Sequence, residues 1–408
     1  MTRIARFVRA PQLAAPVGGV PRRRRPLGAM CVIAAIVGAA LSIAGRAASQ
    51  TTALEVVATG VPRRVHGTDG REHIDYNLVL TNAFTAEVTL TSLVVRAGGK
   101  EVLALTGEVL AAAIRPLGIG QPTDRIPASS SVVAFVDIVL PAAARRRVPA
   151  RLRHRITYTF APGAPSETII GSTTVRAPLL RVDRRRPIVV APPLRGNGWL
   201  SGKACCDPSL DHRSIMLSAN GTYVMPEMFA VDYIRVVDGR FYAGDGTRNT
   251  DWFGYGAPIL AAKGGRVVSV VDDRPEVPPF IEDNPTVTRP SDYSGNGVVV
   301  EIRRGVFADY FHMQPGSVRV KVGQHVRTGQ TLGLVGNSGN TGGPHLHFGI
   351  NTGRDTFTSN SLPFGIRRFR FEGTAAPGAM PGAITVIGAP SEERRSHPLI
   401  GSVSDYSR

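Results

Sequence analysis

Lysine is nearly missing. Only Lys100, Lys203, Lys263 and Lys321 occur in 408 residues, so a formal charge of +17 rests almost wholly on arginine. Cysteine is limited to Cys31, Cys205 and Cys206. That pattern excludes a zinc ribbon of the CxxC kind and a scaffold held by several disulfides. Cys205 and Cys206 are neighbours, so they either close a strained ring with each other or stay as free thiols. Aromatic residues make up 6% of the chain, and no cluster mixes them with arginines. A surface that stacks bases is therefore not expected, and no specific nucleic-acid partner with it. The charge still draws the chain to polyanions, an anionic cell surface among them. Helical periodicity is almost absent. No His-Glu-x-x-His helix occurs, which argues against a thermolysin-like glutamate base.

Long apolar runs are also scarce, with one exception near the start. Four arginines at 22–25 precede an apolar stretch of 18 residues, Leu27 to Ala44, and small residues follow in "GRAASQ". That order is the order of a secretory signal. The length also lies at the short end for a membrane span. Residues 1–50 are thus expected to be a signal peptide, cleaved near Ala48–Gln50, or a membrane anchor through residues 27–44 with its arginines in the cytoplasm. Both readings carry the remainder out of the cytoplasm.

The rest reads as an all-β chain in two domains. Residues 51–181 contain alternating and β-branched runs such as "YNLVLTNAFTAEVTLTSLVVRAG" and "SSSVVAFVDIVLP". Such strands at short, turn-punctuated intervals predict an immunoglobulin- or fibronectin-like β-sandwich. His66, His73 and His154 are scattered there and read as surface or half-buried residues. A Pro- and Arg-rich linker is expected at 182–199, a second β domain at 200–372 and a disordered tail at 373–408.

The chemistry gathers in the second domain. In "GNSGNTGGPHLHFGI", residues 336–350, a small-residue loop runs into a His-x-His pair. Residues two apart in a strand share a face, so His345 and His347 aim together while Leu346 and Phe348 turn into a core. Together with "AVDYIRV", "GAPILAAKGGRVVSV", "GNGVVVEI" and "YFHM", this block resembles the lysostaphin/LytM-type zinc metalloendopeptidases that cut peptidoglycan peptides. The resemblance spans roughly Phe229 to Ile350. It implies an antiparallel β fold with an open groove and one zinc ion per chain. It also implies that Asp232 and His347 bind the metal, while His345 and His312 act beside it as catalytic histidines. His325 matches nothing functional and reads as a solvated turn residue.

One position departs from that pattern. Met228 stands where the family has its first zinc histidine, and a thioether is a weak zinc ligand. His212 is the candidate replacement. If the hairpin loop is Ala219-Asn220-Gly221, Ser218 pairs with Thr222, and counting outward sets His212 opposite Met228, on the face of Asp232. A two-residue Asn-Gly turn pairs His212 with Phe229 instead and turns it to the other face. Pro226 also has room for a bulge.

With His212, Asp232 and His347 as ligands, a tetrahedral zinc keeps one position for water. His345 or His312 would take the proton of that zinc-bound water, and the other would donate to the oxyanion. Two loops, 242–256 and 272–297, either shape the groove or lie on the plain surface. The expectation is an exported, extracytoplasmic zinc endopeptidase of the bacterial periplasm or cell envelope acting on peptidoglycan peptides. The alternative is a degenerate module that binds or activates another cell-wall hydrolase.

Overall fold

The computed structural model describes residues 50–406 apart from 119, 144–146, 162, 165–168, 208–210, 282–283 and 377–382. The expected signal or anchor at 1–50 lies outside the described residues but for Gln50. Among the described residues no helix is long and apolar enough to cross a membrane.

Period-two sequences build the first domain. In Arg151–Phe160, "RLRHRITYTF", the residues Leu152, His154, Ile156, Tyr158 and Phe160 point inward while Arg151, Arg153 and Arg155 face solvent. This strand lies beside Val88–Ala97 in one antiparallel sheet. A second sheet runs in the order Leu54–Ala58, Glu72–Asn82, Ser131–Leu140, Ile114–Pro116. The two sheets share one core, in which Ile74, Leu78, Val95, Ile156 and Tyr158 are fully or nearly fully buried. Each such side chain contributes roughly 1.5–3 kcal/mol by leaving water. The two-sheet arrangement read from the sequence is thus present. His73 and His154 are buried at 5% and 4% exposure, not on the surface. His154 bonds the Tyr76 hydroxyl at 2.7 Å, and His73 bonds Asp137 at 2.8 Å.

The second domain is organised on one eleven-stranded sheet. Its centre runs Asn296–Arg303, Val306–Met313, Leu346–Asn351, Val231–Arg235, Gly196–Lys203, Ser402–Tyr406 and Phe369–Ala375. Every residue of Leu346–Asn351 is buried, as suits a strand covered on both faces.

Two boundaries differ from the sequence reading. The linker at 182–199 holds the strand Ile188–Val190 and the start of Gly196–Lys203. The tail is ordered in its described parts. Ser402–Tyr406 pairs with both Gly196–Lys203 and Phe369–Ala375, and Tyr406 is buried against Tyr233. Gly- and Pro-rich composition hid this strand, whose stability comes from neighbours remote in sequence. The tail also ties the domains together: Thr68 N donates to His397 O at 3.1 Å, and Thr68 Oγ1 meets Ser402 Oγ at 2.6 Å.

Candidate active site

Strand pairing assembles the site. Asp232 in Val231–Arg235 is directly opposite His347 in Leu346–Asn351, and His347 is in turn opposite Phe311. Directly opposed residues share a face with Cβ atoms about 4.5–5.5 Å apart. His347 Nδ1 accordingly lies 2.9 Å from Asp232 Oδ1. His345, just before the same strand, places Nε2 3.5 Å from that oxygen.

His312 arrives by a bulge. Phe311 pairs with Gly297 and Met313 with Asn296, so His312 is the extra residue between them. Its φ of 66° lies in the left-handed region. Bulges of this kind re-aim a side chain, and the backbone conformation costs about 1–3 kcal/mol in a non-glycine residue. The ring comes to rest 4.6 Å, centroid to centroid, from that of His345.

His212 reaches the cluster by a route other than the hairpin. The turn is the two-residue one: Ala219 pairs with Thr222 and Ser218 with Tyr223. The strand begins at Leu217, and His212 sits on a separate helical turn, Asp211–Ser214. Counting along the ladder therefore does not apply to it. His212 Nε2 nonetheless lies 3.2 Å from Asp232 Oδ2 and 3.5 Å from Glu227 Oε2. Met228 is buried elsewhere, among Val65, Cys205, Cys206, Met225 and Phe229. Cys205 and Cys206 are joined by a disulfide, the ring form of the two alternatives. His325 is exposed on an edge strand.

The donor set suits a divalent cation. Ligand atoms of His212, Asp232 and His347 all lie within 4.8 Å of one another, and all three residues are buried. His212 Nδ1 faces the Ala230 carbonyl at 3.4 Å, which leaves Nε2 as the nitrogen turned to the carboxylates. Among the described residues two other groupings of ligand-type residues occur, around His73 and around Asp75, and both depend on the cysteines. The disulfide withdraws those thiolates.

Electrostatics separate the histidines. Burial disfavours a charged His212, yet Asp232 and Glu227 outweigh it and push its pKa up to about 9. Burial also opposes ionisation of Asp232, but His212 and His345 hold that carboxyl well below its usual range. His312 goes the other way: burial first, then the charges of His345 and His347, push it well below the ordinary imidazole value. His312 Nδ1 donates to the Ser338 carbonyl at 2.8 Å, and His345 Nδ1 donates to the Gly343 carbonyl at 2.8 Å. In the neutral His312 ring this leaves Nε2 as the acceptor nitrogen, whereas His345 turns its Nε2 toward Asp232.

A cleft of about 900 Å³ opens over these residues. Trp252 from the loop at 242–256 and Tyr293 from the loop at 272–297 both line it. Gly343 lets Trp252 approach, since a Cβ there would meet the indole at 2.5 Å. Arg115 and Phe135 of the first domain complete a wall. Glu227 and Arg115 escaped the sequence reading. Neither belongs to a motif, and only the fold brings them to the cleft.

Residues 249–359 match the profile of Peptidase family M23. That part of the chain is similar to M23 peptidases. The matched span contains His312, His345 and His347, while His212, Met228 and Asp232 precede it. The chain is 42% identical over 62 residues to the peptidoglycan DD-endopeptidase ShyA of Vibrio cholerae serotype O1, covering 15% of this chain and 14% of that protein. It is 32% identical over 95 residues to ShyB, another peptidoglycan DD-endopeptidase of that organism, covering 23% and 18%. The matched stretches thus span less than a fifth of either relative. Among solved structures, the catalytic domain of lysostaphin from Staphylococcus simulans aligns at 20% identity, covering 41% of this chain and 88% of that one with a TM-score of 0.22.

Proposed function

We propose that the protein is an exported zinc metalloendopeptidase that hydrolyses peptide bonds in bacterial peptidoglycan. The observation that carries this reading is the convergence of His212, Asp232 and His347 where Met228 offers no imidazole. The similarity to M23 peptidases supports a peptidase, and the two DD-endopeptidase relatives support peptidoglycan as its substrate.

His212 Nε2, a carboxylate oxygen of Asp232 and His347 Nδ1 would hold the ion. Bound zinc lowers the pKa of water toward ~7 and polarises a carbonyl. The protein's own groups do the rest. A neutral His312, its Nδ1–H committed to Ser338, leaves Nε2 free to accept a hydrogen bond from the attacking water. His345 is held at Nδ1 by Gly343 and by Thr341 Oγ1 at 3.1 Å, with Nε2 turned toward Asp232. The two rings are close enough to divide proton acceptance and donation between the attacking water and the leaving amine. Trp252, Tyr293 and Phe357 line the cleft with apolar surface that would shield the reaction from bulk water.

Digestion of purified cross-linked peptidoglycan by the full chain tests this, with released peptides resolved by chromatography. Activity should vanish with a chelator and return with Zn²⁺, and His345→Ala should abolish it without loss of fold. A zinc-loaded chain that leaves the cross-links intact overturns the enzymatic reading in favour of a binding or activating module.

A further inference from the structure

We infer that the N-terminal two-sheet domain is a structural part of the metal centre, with Arg213 as the positioning residue that holds His212 in place. This deepens the zinc reading above and rests on it.

His212 sits on a helical turn of four residues, Asp211–Ser214. One turn is too short to be stable by itself, because nucleation fixes several residues for a single backbone bond. Its anchor is the next residue. Arg213 has no exposed surface, and its guanidinium donates to Asp75 Oδ1, to Asn77 Oδ1 and to the Tyr76 carbonyl, the last at 3.1 Å. All three acceptors belong to one strand of the first domain, Glu72–Asn82. The same guanidinium lies over the Phe135 ring, 5.2 Å from its centroid, on the neighbouring strand Ser131–Leu140. Met216, just past the turn, packs on Val79, Val133 and Phe135 of these two strands.

Successive residues on a helical turn project about 100° apart. Arg213 can therefore be sunk in the first domain while His212 faces the second. On that second side His212 meets Asp232, Glu227 and the Ala230 carbonyl. The planar fork of an arginine, bonded to three acceptors on one strand, fixes orientation as well as distance. Position 228, in contrast, lies in the turn that leads into the Asp232 strand, within the second domain itself. The His212 imidazole comes from outside the sheet, and its support comes from the other domain.

The test uses the full chain. The double variant Asp75→Leu/Arg213→Met removes both charges, so neither is stranded in the interior. Zinc affinity is read by competition with a chromophoric chelator, ligand geometry by the visible absorption of the Co²⁺-loaded protein, and fold by circular dichroism. The folded double variant should bind zinc about 10- to 100-fold more weakly, the usual scale for losing support of a ligating histidine. Its Co²⁺ spectrum should change. Adding His212→Ala should cost little more, because both changes disable one ligand. Arg213→Lys, which keeps the charge and loses the fork, should show an intermediate loss at unchanged fold, and it carries the test should the double variant not fold. Wild-type zinc affinity in either folded variant, alongside metal loss in His212→Ala, overturns this inference and leaves the zinc site standing. A wild-type chain that takes up no zinc overturns both.

Discussion

Exchanging the two candidate ligand positions tests the site's geometry. In the variant His212→Ala the ion would keep Asp232 and His347. Structural zinc sites with four protein ligands bind with roughly 10–16 kcal/mol, about 3 kcal/mol per ligand, so losing one should weaken binding by about two orders of magnitude. Restoring a histidine at position 228 should not compensate. Met228 is 6% exposed and packs against Val65, Cys205, Cys206, Met225 and Phe229, and it does not line the cleft. An imidazole there would meet apolar neighbours and leave polar atoms without partners, at a cost of about 1–3 kcal/mol. The variant His212→Ala/Met228→His should therefore match His212→Ala in zinc affinity and melt several degrees lower. Chelator competition reads the first quantity and thermal denaturation the second. Wild-type affinity in the double variant would show that position 228 faces the metal, and the geometric argument would fail.

Other consequences concern stability and the cleft. His73 lies between Asp137 and Asp69, and although burial opposes its charge, these partners push its pKa up to about 10. A folded pKa above the ordinary 6.5 means full stabilisation below pH ~6.5, lost as pH rises through ~10. Solvent around the partly exposed aspartates screens the pairs, so the decline should be smaller than the full shift implies. Urea unfolding across that window should show the decline in the wild type and a flatter profile in His73→Gln. At the bulge, His312→Gly should be about 1 kcal/mol more stable than His312→Ala, because glycine accepts the left-handed backbone. Both should be inactive, and greater stability of the alanine variant would contradict the strained conformation. Gly343→Ala should displace Trp252 and raise KM for peptidoglycan peptides more than it lowers stability, as read from steady-state kinetics and melting. Removal of residues 374–408 should abolish the second domain's unfolding transition in calorimetry, since it deletes the strand Ser402–Tyr406 from inside that domain's sheet.

The fold was legible where the side-chain period is clean. The alternation in Arg151–Phe160 and the His-x-His run are local signals, and their faces follow from backbone geometry alone. Asp232, His312, His345 and His347 sit on or beside paired strands, so a sequence motif located them together. The tail was not legible, because Ser402–Tyr406 owes its order to pairing with Gly196–Lys203, about 200 residues earlier. His212 is the instructive case. Its proximity to Asp232 was anticipated, but through a hairpin register that the structure does not contain. What brings it there is a helical turn tied down by Arg213 to Asp75, a contact of sequence separation 138 that no local pattern encodes.

The most direct test of the proposed zinc site is X-ray absorption at the zinc edge on the full chain loaded with one equivalent of Zn²⁺. The first coordination sphere should hold nitrogen and oxygen alone, at about 2.0–2.2 Å, with the imidazole contribution falling by one ring in His212→Ala. A sulfur scatterer at about 2.3 Å, or a wild-type imidazole count unchanged by that substitution, would contradict it.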